Sequence, residues 1–237
     1  MGKVSRAHVI ANEKKPIAVA IKKDVLGFLA GRGVKISSSS PQLIITVGGD
    51  GTVLFSKKHY GVPFFAIGSS TSFICQATFA NWKSKLPRAL QNLKFERRLL
   101  LESTLNGKPL PLSLNEIGIR NPEPRVLSIH AKLGKRHFAF RADGFLLSTP
   151  TGSPAYCYSC GGKQMKKREW KYQAVAIAPF RRLFSPLILQ SSARASVGFS
   201  GHETAEIFVD GQAVGKLTEK GTLRVRASSK SFYFAKV

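Results

Sequence analysis

The sequence predicts two domains, an α/β domain over residues 1–94 and a β-rich domain over residues 95–237. Before Phe95, short apolar runs alternate with helical stretches, which is typical of a parallel sheet covered by helices. After Phe95, short runs of strand-forming residues follow one another with turn residues between them. With 237 residues, 43% of them hydrophobic, the chain is long and apolar enough to form both cores.

The first domain begins with an uninterrupted apolar run. Residues 17–21 are predicted to form a buried strand, and residues 24–29 a short helix that Gly31 and Gly33 can end. The other predicted elements are strands over residues 34–36, 43–47 and 62–67, a helix from Val53, and a helix over residues 81–93 that contains Pro87. This alternation predicts a parallel sheet with helices on both faces.

The second domain is predicted from strands alone. Asn106-Gly107 is typical of a hairpin turn. Strands are predicted over residues 126–131, 138–141, 145–148, 174–178, 187–189, 206–209, 213–217, 223–226 and 232–235.

The charge of the chain is strongly unbalanced. There are 37 Lys and Arg against 13 Asp and Glu, which gives a formal net charge of +24. This excess predicts attraction to polyanions: nucleic acid, an acidic membrane surface or phosphorylated small molecules. Charge alone leaves these three open.

Other classes of protein are not expected. No apolar run approaches the roughly 18 residues of a membrane-spanning helix. The basic N-terminus leads into polar residues, unlike a signal peptide. Three cysteines, Cys75, Cys157 and Cys160, are too few for a disulfide framework. We therefore expect a soluble, cytoplasmic protein.

Aspartate is scarce, and three of the four aspartates precede glycine: Asp50, Asp143 and Asp210. Asp-Gly is a common turn signal, so each pair can be structural or functional. For Asp50 the flanks indicate function, because Gly48, Gly49, Gly51 and Thr52 surround it directly after a predicted strand. Such a loop lets backbone N–H groups approach phosphate, and a carboxylate there can handle a metal ion or accept a proton from a hydroxyl. A glycine-rich structural turn is the alternative.

A second constellation covers residues 142–156. A predicted strand leads through Asp143-Gly144 into a run of hydroxyl residues, Gly and Pro, and ends at Tyr156. These donors and acceptors suit a ribose, a base edge or phosphates. By composition alone the segment is equally an ordinary Ser/Thr loop.

Together these motifs resemble the NAD kinase family. The resemblance runs from about residue 43 to 212 and rests on segments 48–52, 115–116, 143–144, 148–153 and 209–212, in order and at compatible spacing. The loop at 48–52 is shared with lipid kinases, whereas the Ser-Thr-Pro-Thr-Gly-Ser run is far more specific to NAD kinases. The resemblance implies a Rossmann-like N-terminal domain and a C-terminal β-sandwich.

The resemblance also implies an activity, phosphorylation of the adenosine ribose 2′-hydroxyl of NAD to give NADP, with ATP or polyphosphate as donor. Asp50 corresponds to the general base, and Gly48, Gly49, Gly51 and Thr52 to the loop that cradles the donor phosphates. Positions corresponding to the NAD site are Asp50, Gly51, Asn115, Glu116, Arg141, Asp143, Ser148, Thr151, Pro154, Ala155, Tyr156, Ser159, Ala178 and Gln212. A divalent metal ion (Mg or Mn), bound mainly through the donor phosphates, and a homodimer or homotetramer are implied as well.

The sequence departs from the family pattern at three places. Residues 67–74 lack the expected Asn and carry serines at Ser69–Ser72 where glycines are usual. Pro154 and Cys157 replace a Thr and an Asn, and residues 180–182 replace a Pro-His-Ser stretch. These changes leave Asp50 in place and alter the substrate and donor contacts.

Alternative functions follow from the same features. The altered positions are the reason to consider a non-catalytic NAD(P)-binding relative as an alternative. The net charge suits a nucleic-acid-binding protein, although no recognition module for nucleic acid is evident. The loop at 48–52 allows a lipid kinase, against which the hydroxyl run argues. Cys157 and Cys160 alone cannot complete a zinc site. The histidines show no ligand spacing: His8, His59, His130, His137 and His202.

Overall fold

The computed structural model describes residues 2–123, 125–201 and 204–237. The chain forms two compact units, a first unit of Met1–Arg98 with Ser231–Val237, and a second unit of Leu99–Lys230. The predicted domain limits of 1–94 and 95–237 stay a prediction. His202 lies outside the described residues.

The first unit combines helices with a small parallel sheet. Its helices are α1 (Pro16–Ala30), α2 (Asp50–Ser56) and α3 (Trp82–Gln91). Its strands are β1 (Arg6–Ala11), β2 (Lys35–Ile36), β3 (Leu43–Val47), β4 (Phe64–Gly68) and β5 (Ala77–Thr78). Two longer strands, β6 (Phe95–Leu105) and β16 (Leu223–Ala235), contribute residues to both units.

The sheet of the first unit is parallel in the order β16–β4–β3–β1–β2, with β5 beside β4. Every residue of β3 and β4 is buried, as expected for central strands covered on both faces. On one face, Phe28 of α1 meets Trp82 of α3 with ring centroids 5.4 Å apart. Phe64 and Phe232 form a second aromatic pair, with ring centroids 4.5 Å apart.

The predicted strand at residues 17–21 is wrong, because these residues belong to α1. Pro16 occupies the first turn, where its missing N–H costs nothing. The buried residues of α1 recur at helical spacing: Ala18, Ile21, Val25 and Leu29. Ile17 and Val19 remain 51% and 40% exposed. A short apolar run does not distinguish a strand from a helix, and the strand that pairs with β3 is β1 instead.

The second unit is antiparallel. Its strands are β7 (Lys108–Pro109), β8 (Glu116–Arg120), β9 (Leu127–Leu133), β10 (Arg136–Ser148), β11 (Lys171–Pro179), β12 (Leu187–Gln190), β13 (Arg194–Ser200), β14 (Thr204–Val209) and β15 (Gln212–Thr218). The order is β15–β14–β8–β10–β9–β13–β16, with β11 on β10 and β12 on β11. A short helix, α4 (Tyr156–Ser159), follows β10.

Strand β10 joins two strands that were predicted separately, 138–141 and 145–148. Its first part pairs with β9, as in Ala139↔His130, and its second part pairs with β8 and β11. Asp143-Gly144 lies at this change of partner, inside a continuous strand, so the turn alternative is wrong for this pair. A Cβ on Gly144 would stand 2.4 Å from the Ile119 carbonyl oxygen, so glycine lets the strands approach closely.

The remaining predictions agree with the structure in outline. The Asn106-Gly107 hairpin is confirmed, with both residues at positive φ between β6 and β7. The strands predicted at 223–226 and 232–235 are one strand, β16, and the predictions do not include β6, β8 or β13. An α/β unit and an all-β unit confirm the predicted fold class. Within the described part of the chain, no helix is long and apolar enough to cross a membrane.

Candidate functional site

The loop between β3 and α2 has a backbone that requires glycine. Gly48 and Gly49 adopt φ values of +144° and +105°. A Cβ on Gly48 would stand 2.7 Å from Cβ of Asn12 and 2.5 Å from Oγ1 of Thr52. Helix α2 begins at Asp50, three residues before the predicted start, because an acidic residue is favourable in the first turn. The conformation of this loop therefore sets the position of Asp50 at the start of α2.

The Asp50 carboxylate is held by the segment after β4. The backbone N–H of Phe73 donates to Oδ2 at 2.8 Å, and that of Ile74 donates to Oδ1 at 3.2 Å. The Cys75 thiol donates to Oδ1 at 3.5 Å. These bonds fix the orientation of the carboxylate and leave its remaining lone pairs available.

The serines that replace glycines lie in this supporting segment. Ser69 Oγ lies 2.9 Å from Oγ1 of Thr71 and 3.4 Å from Oγ of Ser72. None of residues 69–72 adopts a positive φ, so glycine is not required there. The Ser69–Ser72 departure therefore preserves the loop that holds Asp50.

One cation at the loop was missed by the sequence reasoning. The Lys15 ammonium donates to the Gly48 carbonyl oxygen at 3.3 Å, and Asn12 N–H donates to the Val47 carbonyl oxygen at 2.9 Å. Both residues follow β1, whose carboxyl end lies beside that of β3 because the strands are parallel. The carboxyl edge of such sheets is where ligands bind. A polar break after a predicted strand is the signal that could have found them, but β1 itself was not predicted.

In the second unit, Asp210 organises the Asn115-Glu116 segment. Its Oδ1 accepts hydrogen bonds from the backbone N–H groups of Asn115 and Glu116 at 2.8 and 3.1 Å, and Oδ2 accepts one from Leu114 N–H at 3.0 Å. Asp210 and Gly211 form the turn between β14 and β15, with Asp210 at φ +49°. The residue is thus both a turn residue and a support for the predicted NAD-contact pair.

The hydroxyl run packs against the same pair. Thr149 N–H donates to the Asn115 carbonyl oxygen at 2.8 Å, and the Ser148 hydroxyl donates to it at 3.2 Å. A Cβ on Gly152 would stand 2.3 Å from that carbonyl oxygen. Ser153 donates to the Pro150 carbonyl oxygen at 2.9 Å. Most of these hydroxyls therefore build the loop.

Oδ1 of Asn115 and Oγ1 of Thr151 are buried and have no hydrogen-bond partner among the described residues. Burial of an unsatisfied polar atom costs about 1–3 kcal/mol. A bound water or ligand can satisfy such groups. Glu116 is 4% exposed beside them.

The other predicted NAD-site residues lie elsewhere in the second unit. Arg141 and Asp143 are exposed on β10, and the Arg141 guanidinium lies 5.2 Å from the Phe180 ring centroid. Ala178 has φ +46° at the end of β11, which pairs with β10. Pro154 and Ala155 are half-buried and Tyr156, Ser159 and Gln212 are exposed.

The thiols of Cys157 and Cys160 lack the lowered pKa that is typical of reactive cysteines. Cys157 is buried among Leu146, Val175 and Phe208, and burial raises the pKa of its thiol to about 12. Burial also raises the pKa of the Cys160 thiol. A raised pKa keeps the thiols protonated, which disfavours nucleophilic and redox roles. Among the described residues, no three His, Cys, Asp or Glu side chains form a group that could hold a metal ion.

Three histidines make contacts of their own. His130 Nε2 lies 3.1 Å from the Ser200 hydroxyl. His8 and His59 face each other with ring centroids 6.0 Å apart. Burial, and then the neighbouring charges of His59 and lysines, lower the pKa of His8.

A carboxylate mounted on a glycine loop of a parallel α/β unit, with an all-β unit after it, defines a kinase of the GGDGT class. The family model of the ATP-NAD kinase C-terminal domain matches residues 114–237, more than half of the chain. The chain belongs to the NAD kinase family, which confirms the resemblance found in the sequence. Members of this family are phosphotransferases. Neither the nucleic-acid-binding nor the lipid-kinase alternative is favoured.

Relatives of the same name cover most of the chain. An NAD kinase of Methanospirillum hungatei is 29% identical over 202 residues, which span 82% of this chain and 74% of that protein. An NAD kinase of Methanothermobacter thermautotrophicus is 28% identical in an alignment of 261 positions, which covers 98% of this chain and 92% of that protein.

Two solved structures share the fold. An NAD kinase from Archaeoglobus fulgidus in complex with ATP has a TM-score of 0.84 at 24% identity, over 98% of this chain and 93% of that one. Yeast NADH kinase complexed with NADH has a TM-score of 0.89 at 18% identity, over 99% of this chain and 84% of that one.

Proposed function

We propose that the protein phosphorylates the 2′-hydroxyl of the adenosine ribose of NAD, giving NADP, with ATP or polyphosphate as donor. The observation that carries this proposal is the fixed orientation of the Asp50 carboxylate in a chain of the NAD kinase family. Asp50 follows the glycine loop, and its carboxylate accepts hydrogen bonds from the N–H groups of Phe73 and Ile74.

In the proposed reaction Asp50 is the general base. The ribose hydroxyl loses its proton to the Asp50 carboxylate as its oxygen forms a bond to the terminal phosphorus of the donor. The bond from that phosphorus to the bridging oxygen breaks, and ADP or a shortened polyphosphate leaves. A ribose hydroxyl is a poor nucleophile, so a positioned base and a bound donor supply the main catalytic effects. Fixed orientation of Asp50 supports this role.

The donor phosphates are assigned to the loop of Gly48, Gly49, Gly51 and Thr52. A divalent metal ion (Mg or Mn), when bound, supplies neutralisation of donor charge. The chain offers it no cage of its own among the described residues, which fits an ion held mainly by the donor phosphates. Lys15, at the Gly48 carbonyl oxygen, adds a positive charge beside the donor loop.

Recognition of NAD is assigned to the second unit. We assign the adenosine moiety to Asn115, Glu116 and Thr151; the lack of a hydrogen-bond partner for Asn115 Oδ1 and Thr151 Oγ1 among the described residues supports this assignment. Ser148 and Asp210 act by holding the Asn115 backbone. The other family positions are assigned to the dinucleotide by resemblance: Gly51, Arg141, Asp143, Pro154, Ala155, Tyr156, Ser159, Ala178 and Gln212. A homodimer or homotetramer in the cytoplasm belongs to the same proposal.

The test is a turnover assay on the full chain. Pure protein is incubated with NAD, Mg²⁺ and either ATP or polyphosphate, and NADP is measured with an NADP-specific dehydrogenase. NADP formed with one donor supports the proposal and identifies that donor. Folded protein that binds NAD but forms no NADP with either donor contradicts it and supports a non-catalytic relative.

A further inference from the structure

The second unit contains a basic cavity that none of the family motifs explains. It has a volume of about 750 Å³, which is within the usual range for small-molecule sites. Its charged lining residues are Lys132, Arg194, Arg224, Arg226, Lys230 and Glu102. We call it the basic pocket.

Strand register brings these cations together. Lys132 on β9 pairs with Ser196 on β13, and Ser196 pairs with Arg224 on β16. Arg194 pairs with Arg226 two residues further along β13 and β16, and therefore lies on the same outward face. Their neighbours along each strand are core residues, because successive side chains alternate between the faces. The cations of three strands therefore lie on one exposed face.

The acid in the pocket, Glu102, is bonded to Arg226. Glu102 accepts a hydrogen bond from Nε of Arg226 and another from the Ser228 hydroxyl at 3.0 Å. Within the part of the chain that the structure describes, the side chains of Lys132, Arg194 and Arg224 form no ion pair. Like charges on neighbouring strands destabilise a sheet. A bound anion would remove this repulsion.

The lining indicates which anion fits. Guanidinium groups bind phosphate in a bidentate manner, and the pocket holds several within reach of one another. Among the described residues, no aromatic side chain lines it, so these residues give it no stacking surface of the kind that single-stranded nucleic acid uses. Pro109, Leu110 and Leu112 also line it and add an apolar part to the wall.

We propose that the basic pocket binds a small anion carrying two or more linked phosphates, either an inorganic chain or the phosphate chain of a nucleotide. This site uses none of the residues assigned to catalysis or to NAD, and its existence does not depend on kinase activity.

The test measures binding of inorganic tripolyphosphate to the full chain by calorimetry at physiological salt. The variant Lys132→Ala/Arg194→Ala/Arg224→Ala removes the three unpaired charges. Its matched control, Lys23→Ala/Lys35→Ala/Lys94→Ala, removes three charges from exposed lysines of the first unit. We expect the pocket variant to lose at least about tenfold in affinity and the control to stay within about twofold. Equal affinity of the wild type and the pocket variant would falsify the proposal.

Backbone amide NMR shifts locate the ligand and keep the test decisive if the triple variant does not fold. Tripolyphosphate should shift the amides of Lys132, Ser196 and Arg224, and Arg224→Gln alone should weaken these shifts. If those amides do not move, the pocket is not the site.

Further ligands identify the source of the phosphates. Tripolyphosphate that binds the pocket as tightly as ATP supports an inorganic chain, and tighter binding of ATP supports a nucleotide. AMP that shifts the same amides with equal affinity contradicts the requirement for linked phosphates. A single-stranded oligonucleotide that binds more tightly than both, and only to protein with the intact pocket, overturns the proposal in favour of nucleic acid.

Discussion

The orientation of Asp50, the proposed general base, depends on residues distant in the chain. Its carboxylate accepts hydrogen bonds from the N–H groups of Phe73 and Ile74, which lie 23 and 24 residues away. The family pattern is altered just before these residues, at Ser69–Ser72, and the N–H groups of Phe73 and Ile74 still reach the carboxylate. The altered residues therefore leave the hydrogen bonds to Asp50 in place.

The replacement Asp50→Asn tests the base directly. The amide keeps the size of the side chain and cannot accept the hydroxyl proton, so we expect kcat to fall by about 10²–10⁴ while NAD affinity changes little. Steady-state assays and NAD titration measure the two effects. Asp24→Asn, on the exposed face of α1, is the matched control and should keep full activity. An active Asp50→Asn enzyme removes Asp50 from the role of base.

At the level of an element, the turn between β14 and β15 positions residues on another strand. Asp210 is 6% exposed and accepts three backbone hydrogen bonds. We expect Asp210→Ala to lower the free energy of unfolding by about 3 kcal/mol, because buried N–H groups lose a charged acceptor. Asp210→Asn, which keeps one acceptor oxygen, should lose less. Chemical denaturation measures both variants, and equal losses would contradict the role of the carboxylate.

The loop between β3 and α2 makes a second prediction at this scale. Gly48→Ala places a methyl group 2.7 Å from Asn12 Cβ at φ +144°, and we expect it to lower the free energy of unfolding by about 1–3 kcal/mol. Gly51→Ala, where no atom lies within 4 Å of the added Cβ, should change stability by less than about 1 kcal/mol. Thermal unfolding of both variants measures the difference. Similar losses in the two would show that the loop is not constrained at Gly48.

For the whole molecule, the dominant property is the net charge of +24. Self-repulsion at this charge opposes the compact state, and salt screens it over about 10 Å at 0.1 M. We expect Tm to rise when NaCl is increased from about 10 to about 200 mM. Scanning fluorimetry measures the shift, with a neutral osmolyte at equal osmolarity as control. A Tm that falls or stays constant with salt contradicts the importance of this repulsion.

Some features could be predicted because they are local. Residues 43–47 are apolar throughout and form β3 within the predicted limits, and Asn106-Gly107 forms the predicted hairpin. Residues 17–21 were misassigned because a short apolar run suits a strand and a helix equally, and only packing of one face against the sheet selects the helix. The two halves of β10 were separated because Asp143-Gly144 resembles a turn when its strand partners are unknown.

The sequence by itself determined the fold class, the family and the position of Asp50, because apolar patterning and short motifs are properties of neighbouring residues. Only the tertiary structure decided what holds these residues. The Asp50 carboxylate accepts hydrogen bonds from the backbone of residues 73–74, and Asp210 accepts them from the backbone of Asn115 and Glu116. Lys132 and Arg224 line the same pocket. Each of these contacts joins residues distant in the chain through loop geometry or strand register, and a single strand's pattern shows which side chains share a face but not which strand lies beside it.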